Sequence, residues 1–163
     1  MQELSGTYPV RMPVWWARRG ASGPHPSLPG VTGRFVVIRH AKIFRRFEGM
    51  IAKLFRAPTE LRRPLDDMNS LLWELCDGYR TFDEICTIMD ATFHERISPV
   101  VERSTAAIEK LSSLGYIGLS NHPFKGNWLT GPGIDPSGLL DAPPQKLDLD
   151  WAPVAGDHHS ESE

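Results

Sequence analysis

The sequence predicts a small α+β domain, with N-terminal β-strands followed by three α-helices, an extra basic amphipathic helix and disordered ends. Three observations point to this class. Apolar residues recur at helical spacing in four successive stretches between residues 43 and 114. Runs rich in β-branched and aromatic residues, at 14–18 and 34–40, precede them. The 14 glycines and 14 prolines fall mostly outside the middle of the chain, which leaves the two ends irregular.

The elements follow in order. Residues 1–33 carry little periodicity, apart from a possible strand at Val14-Trp15-Trp16-Ala17-Arg18, and are expected to be mostly flexible. Gly20 to Gly33 reads as a loop. Arg34 to His40 reads as a better strand, bounded by Gly33. Ile43, Phe44, Phe47, Met50, Ile51, Leu54 and Phe55 then share one helical face, with Lys42, Arg45, Arg46, Glu48, Lys53 and Arg56 opposite, so 42–56 is expected to be a basic amphipathic helix. A short strand from Thr59 to Leu65 follows, with Pro64 near its end, where a missing N–H is tolerable.

Three helices come next. The first runs from about Asp66 to Cys76, with acidic residues at the positive end of its dipole and Gly78 just past its end. Met68, Leu71, Leu72 and Leu75 make its inward face. The second opens on Thr81-Phe82-Asp83-Glu84, a capping box, and continues its apolar stripe through Ile85, Ile88 and Met89. The third starts at Ser98-Pro99, read as a cap followed by proline at the first helical position. Its stripe is Val101, Ile108, Leu111 and Leu114, Gly115 ends it, and Tyr116 to Leu119 adds a last strand. From Ser120 the periodicity stops, and the acidic tail to residue 163 is expected to be disordered.

Charge is segregated behind a net value of −2. Residues 1–58 hold ten basic and two acidic groups, 59–119 six and eleven, and 120–163 two and seven. Such asymmetry suits either a charged partner or a basic segment docked on its own acidic domain. No apolar run approaches the roughly 20 residues needed to span a bilayer. The N-terminus lacks the order of a signal peptide, so a cytoplasmic location is expected. Cys76 and Cys86 sit within apolar helical patterns, as small core residues do, and no Cys-x-x-Cys pair or nearby histidine completes a metal site. No phosphate loop or nucleophile elbow is present, and adjacent Asp66 and Asp67 cannot face each other across a substrate. A non-enzyme without a cofactor is expected.

Residues 65–85 read Leu-Asp-Asp-Met-Asn-Ser-Leu-Leu-Trp-Glu-Leu-Cys-Asp-Gly-Tyr-Arg-Thr-Phe-Asp-Glu-Ile. The order of Leu65, Trp73, Leu75, Asp77, Gly78, Arg80, Thr81, Glu84 and Ile85 resembles the signature of the pyrroloquinoline quinone synthesis protein D (PqqD) family. The likeness covers residues 59–119. It implies a winged-helix-like peptide recognition element, of the kind that delivers ribosomal precursor (leader) peptides to maturation enzymes, commonly radical SAM enzymes with an iron–sulfur cluster. Carried over by position, the peptide groove would be lined by Glu60, Leu61, Arg62 and Arg63 of the strand and by Val101, Ser104, Thr105 and Ile108 of the third helix. The start of the first helix, the 42–56 insertion and the tail depart from the family pattern.

Two rivals follow from the residues. Winged helices also read duplex DNA, but the net charge of 59–119 opposes the phosphate neutralisation on which such binding depends. The 42–56 helix, besides packing on the sheet, could make peripheral contact with an anionic membrane surface.

Overall fold

The computed structural model describes residues 3–41 and 60–157. The basic helix expected at 42–56, and Thr59, lie outside the described residues. The architecture is α+β, with strands leading into three helices. Among the described residues no helix is long and apolar enough to cross a membrane.

Three strands form an antiparallel sheet: β2 (Trp15–Arg19), β3 (Phe35–Ala41) in the centre, and β4 (Glu60–Pro64). Register sets the faces, because cross-strand partners point the same way and successive residues alternate. Trp16 pairs with Ile38 and Arg18 with Val36, so these four share one face, while Trp15, Ala17, Val37 and Arg39 share the other. The first face carries the core, in which Trp16 meets Trp73 edge-on at 6.0 Å.

Helix α1 (Asp67–Leu75) is capped by Asp66, which accepts the Asn69 N–H at 2.8 Å. Residues Ser70 to Leu75 are all buried, so this helix is enclosed rather than amphipathic. Gly78 follows with a φ of +84°, and a Cβ there would meet Phe124 Cβ at 2.4 Å. Helix α2 (Phe82–Phe93) begins with the expected capping box, in which Thr81 Oγ1 and the Glu84 carboxylate each accept the other residue's N–H at 3.2 Å. Thr81→Ala is accordingly expected to cost roughly 0.5–2 kcal/mol in denaturant melts. An unchanged midpoint would show that the box contributes nothing to the folded state.

Helix α3 (Val100–Ser113) departs from expectation at its start. Its N-cap is Pro99, with no side-chain hydrogen bond, because Ser98 is taken up by the preceding 3-10 turn and donates its N–H to Glu95 O at 3.2 Å. Val101 is 50 % exposed and does not belong to the inner stripe; Val100 packs against the core instead.

The two ends depart further from expectation. The sequence shows no strand before residue 14, yet Tyr8–Arg11 forms β1, paired antiparallel with β5 (Ile117–Ser120), and Leu4 is buried. Pro9 and one β-branched residue leave too weak a local signal; β5, more than 100 residues away, makes the strand. The C-terminal segment also packs. Arg18 and Asp150 exchange backbone hydrogen bonds (2.8 and 2.7 Å), the Gly133 N–H reaches Trp16 O at 2.9 Å, and Trp128 Nε1 donates to Arg11 O at 2.8 Å. Its anchors are single aromatic and acidic residues, which leave no periodicity to read.

Buried charge locks this segment down. Arg18 donates to Glu74 at 2.8 Å and, through both terminal nitrogens, to Asp157 at 2.9 and 2.8 Å. All three side chains are almost fully enclosed. Burial opposes the charge on Arg18, but the hydrogen bonds and charges of Asp157 and Glu74 outweigh it and hold the guanidinium above its ordinary value. Arg11 is also buried and serves a different purpose. It donates to the Trp73 and Glu74 carbonyls at 2.9 and 3.0 Å, supplying at the end of α1 the positive charge that the helix's own last turn lacks. Burial pulls its pKa below the usual value.

Candidate functional site

Strand β4 forms one edge of the three-stranded sheet. In an antiparallel ladder, hydrogen-bonded and non-bonded pairs alternate. The Leu65 N–H donates to Val36 O at 2.9 Å, which makes Ile38–Arg63 and His40–Leu61 the bonded pairs of the register. Arg63 and Leu61 therefore turn their backbone groups toward β3. Glu60, Arg62 and Pro64 turn theirs toward the free edge, and Pro64, with no N–H, occupies an outward position where nothing is lost. The same parity governs the far edge, where Trp16 and Arg18 of β2 point outward and are bonded by Gly133 and Asp150. One edge is thus closed by the chain itself. The β4 edge has no strand partner among the described residues.

Side chains divide by the same rule. Leu61 and Arg63 lie across from His40 and Ile38, on the face that carries the helices. Glu60 and Arg62 lie across from Ala41 and Arg39, on the outer face. Leu61 is 45 % exposed, an uncovered apolar side chain beside the edge. Arg62 and Arg63 are both exposed, and only Arg63 can reach the helix side.

Two contacts fix the direction in which α3 runs relative to the sheet. Just past the end of β4, Asp66, Met68 and Asn69 share a cavity of about 110 Å³ with Arg103, Ser104 and Ala107. At the other end the ring of Tyr116, which follows α3, lies 5.6 Å from that of His40, the cross-strand neighbour of Leu61. The helix therefore runs opposite to β4. Arg103 and Ala107 belong to a stripe that continues by helical spacing to Lys110 and Leu114.

This geometry corrects the expected groove. Ser104, Thr105 and Ile108 are 1 %, 2 % and 0 % exposed and face the interior, where Ser104 lies against the Cys86 thiol. Only Val101 of the four expected α3 residues reaches solvent. The flank beside the end of β4 is offset by one residue, about 100° around the helix. It consists of exposed Arg103 and Lys110 with partly buried Ala107 and Leu114. Sequence reasoning missed it because Leu114 reads as core, Ala107 carries no signal of its own, and a basic residue at i and i+7 reads as an ordinary solvated face.

Arg63 of β4 and Arg103 and Lys110 of α3 are exposed and basic, although residues 59–119 are acidic overall, and exposed Asp66 follows β4. Arg103 is steadied by donating to the Arg96 carbonyl, and Arg96 is itself paired with Asp67 at 2.9 Å.

Among the described residues no group of three or more His, Cys, Asp or Glu could hold a metal ion. Cys76 and Cys86 are buried free thiols, and burial pushes Cys76 up to about 12, which keeps it protonated and a poor nucleophile at neutral pH. Comparison with protein-family models, curated proteins and solved structures finds no match.

Proposed function

We propose that the chain is a non-catalytic peptide-binding adaptor that takes up an extended precursor peptide as an added strand on β4 and presents it to a modifying enzyme. The observation that carries this reading is the β4 edge, which no strand among the described residues covers, with the outward backbone groups of Glu60, Arg62 and Pro64 aligned to bond a new strand. An open edge is otherwise a liability that folds cover, as this chain covers β2. The resemblance of residues 65–85 to peptide-delivering proteins supports the same assignment.

Main-chain bonds along the edge supply affinity without regard to sequence, and flanking side chains supply selectivity. Alternate residues of the added strand would point into the β4–α3 seam. There Leu61, Ala107 and Leu114 favour apolar side chains, while Arg63, Arg103 and Lys110 favour acidic ones through charge complementarity.

The test separates backbone from side chain at one position. Short random peptides are first selected by display on the full chain, and the enriched peptides are titrated calorimetrically. Arg62→Pro deletes the outward N–H and leaves the β3 ladder intact, whereas Arg62→Ala removes the side chain alone. With both variants folded by circular dichroism, Arg62→Pro is expected to bind about tenfold more weakly than Arg62→Ala, the worth of one well-placed hydrogen bond. Equal binding by the two variants, or no enrichment of any peptide, would sink strand addition at this edge.

A further inference from the structure

Resting on that reading, we infer that a pocket on the outer face of the sheet reads one acidic side chain of the bound strand, and that the chain's own C-terminal segment builds its outer wall. The pocket has a volume of about 280 Å³ and is lined by Arg39, Glu60 and Arg62 from the sheet and by Leu140, Asp141 and Pro144 from the segment that crosses over it.

Its position follows from register. A residue added directly across from Arg62 places its side chain on the face that carries the Arg62 side chain, a few ångströms away, whereas its two neighbours point into the α3 seam. Arg62 is also the residue whose N–H and C=O would bond the incoming strand. The same ligand residue is therefore held by its backbone and read by its side chain.

The pocket's chemistry selects an anion. Glu60 is fully engaged: one carboxylate oxygen takes Arg39 Nε and Nη2 at 2.9 and 2.5 Å, and the other takes Arg62 Nε at 2.7 Å. Arg39 is almost completely enclosed, stacks 4.4 Å over the Trp15 ring, and also donates to the Asp141 carbonyl at 2.9 Å. Among the described residues the terminal nitrogens of Arg62 hold no hydrogen bond, and its side chain is 40 % exposed. The hydrogen-bonding capacity left over is thus a guanidinium fork, which matches a carboxylate bidentately. Leu140 and Pro144 favour the longer methylene stem of glutamate over aspartate. Asp141, which also lines the pocket, has an exposed side chain and is the chain's own competing anion there.

The experiment uses a peptide enriched on the full chain, together with analogues in which each acidic residue is changed in turn to Gln or Lys. One acidic position is expected to lose at least about tenfold on the change to Lys, since like charges are then juxtaposed. Arg62→Glu is expected to reverse the preference at that position, and Asp141→Asn to tighten the acidic peptide a few-fold. If every analogue binds alike while Arg62→Pro still weakens binding relative to Arg62→Ala, the pocket is wrong and strand addition stands. If Arg62→Pro and Arg62→Ala bind alike, both ideas fall. A preference that survives Arg62→Glu unchanged would also overturn the assignment of this pocket.

Discussion

Ile108→Asp is expected to lower stability by about 4 kcal/mol or more, enough to consume most of the margin of an ordinary domain. Ile108 is fully buried in the core cluster with Leu72, Met89 and Leu111. The substitution removes a buried aliphatic side chain and leaves a cavity, a loss of roughly 2–5 kcal/mol by itself. It also places a carboxyl among apolar neighbours, so the group must either stay protonated or carry an unpaired buried charge. Chemical denaturation followed by circular dichroism will show the effect. A variant that melts within about 1 kcal/mol of the parent would mean that position 108 reaches solvent and that α3 is rotated from the placement described.

Glu74→Ala is expected to cost about 3–5 kcal/mol, the range for breaking a buried ion pair from one side. Glu74 is 1 % exposed and joins three parts of the chain. From α1 it accepts Arg18 Nε of β2 at 2.8 Å, the Thr32 and Gly33 N–H groups at about 3.0 Å, and the Thr32 hydroxyl at 2.8 Å. Its loss strands two backbone donors and leaves Arg18 with the Asp157 carboxylate and the Gly30 carbonyl. Because Asp157 anchors the C-terminal segment through the same arginine, proteolysis of that segment should quicken as well. Arg18→Met should cost at least as much, since it leaves both Glu74 and Asp157 as buried carboxylates without their shared cation. A loss below about 1 kcal/mol for Glu74→Ala would show that the hub is not closed in solution.

Much of the fold is legible locally. The Thr81–Glu84 box, the Asp66 cap, Gly78 and Gly115 are short-range signals, and the helices start or stop where these residues stand. The strands at 15–19 and 35–41 follow from β-branched and aromatic runs. The buried arginines were readable in part: Arg18 falls two residues after Trp16, so alternation puts it on the core face, where a charge must find a partner. Which partner it finds could not be read, since Glu74 and Asp157 are 56 and 139 residues away in sequence.

What the sequence determines by itself is the order of the strands from β2 onward and of the three helices, the caps of α1 and α2, and that β4 ends at a proline suited to an edge. These depend on interactions within a few residues, or on a periodicity that a window of the chain contains. Only the tertiary structure decides that Tyr8–Arg11 is a strand, that the segment after Ser120 closes the β2 edge, and that Arg63 rather than Arg62 faces α3. It also turns Ile108 into the core and leaves Arg103 and Lys110 exposed on the neighbouring flank of α3. Pairing partners, register parity and the angle at which a helix settles on a sheet arise from contacts between distant segments, and a linear pattern carries no record of which distant segments meet.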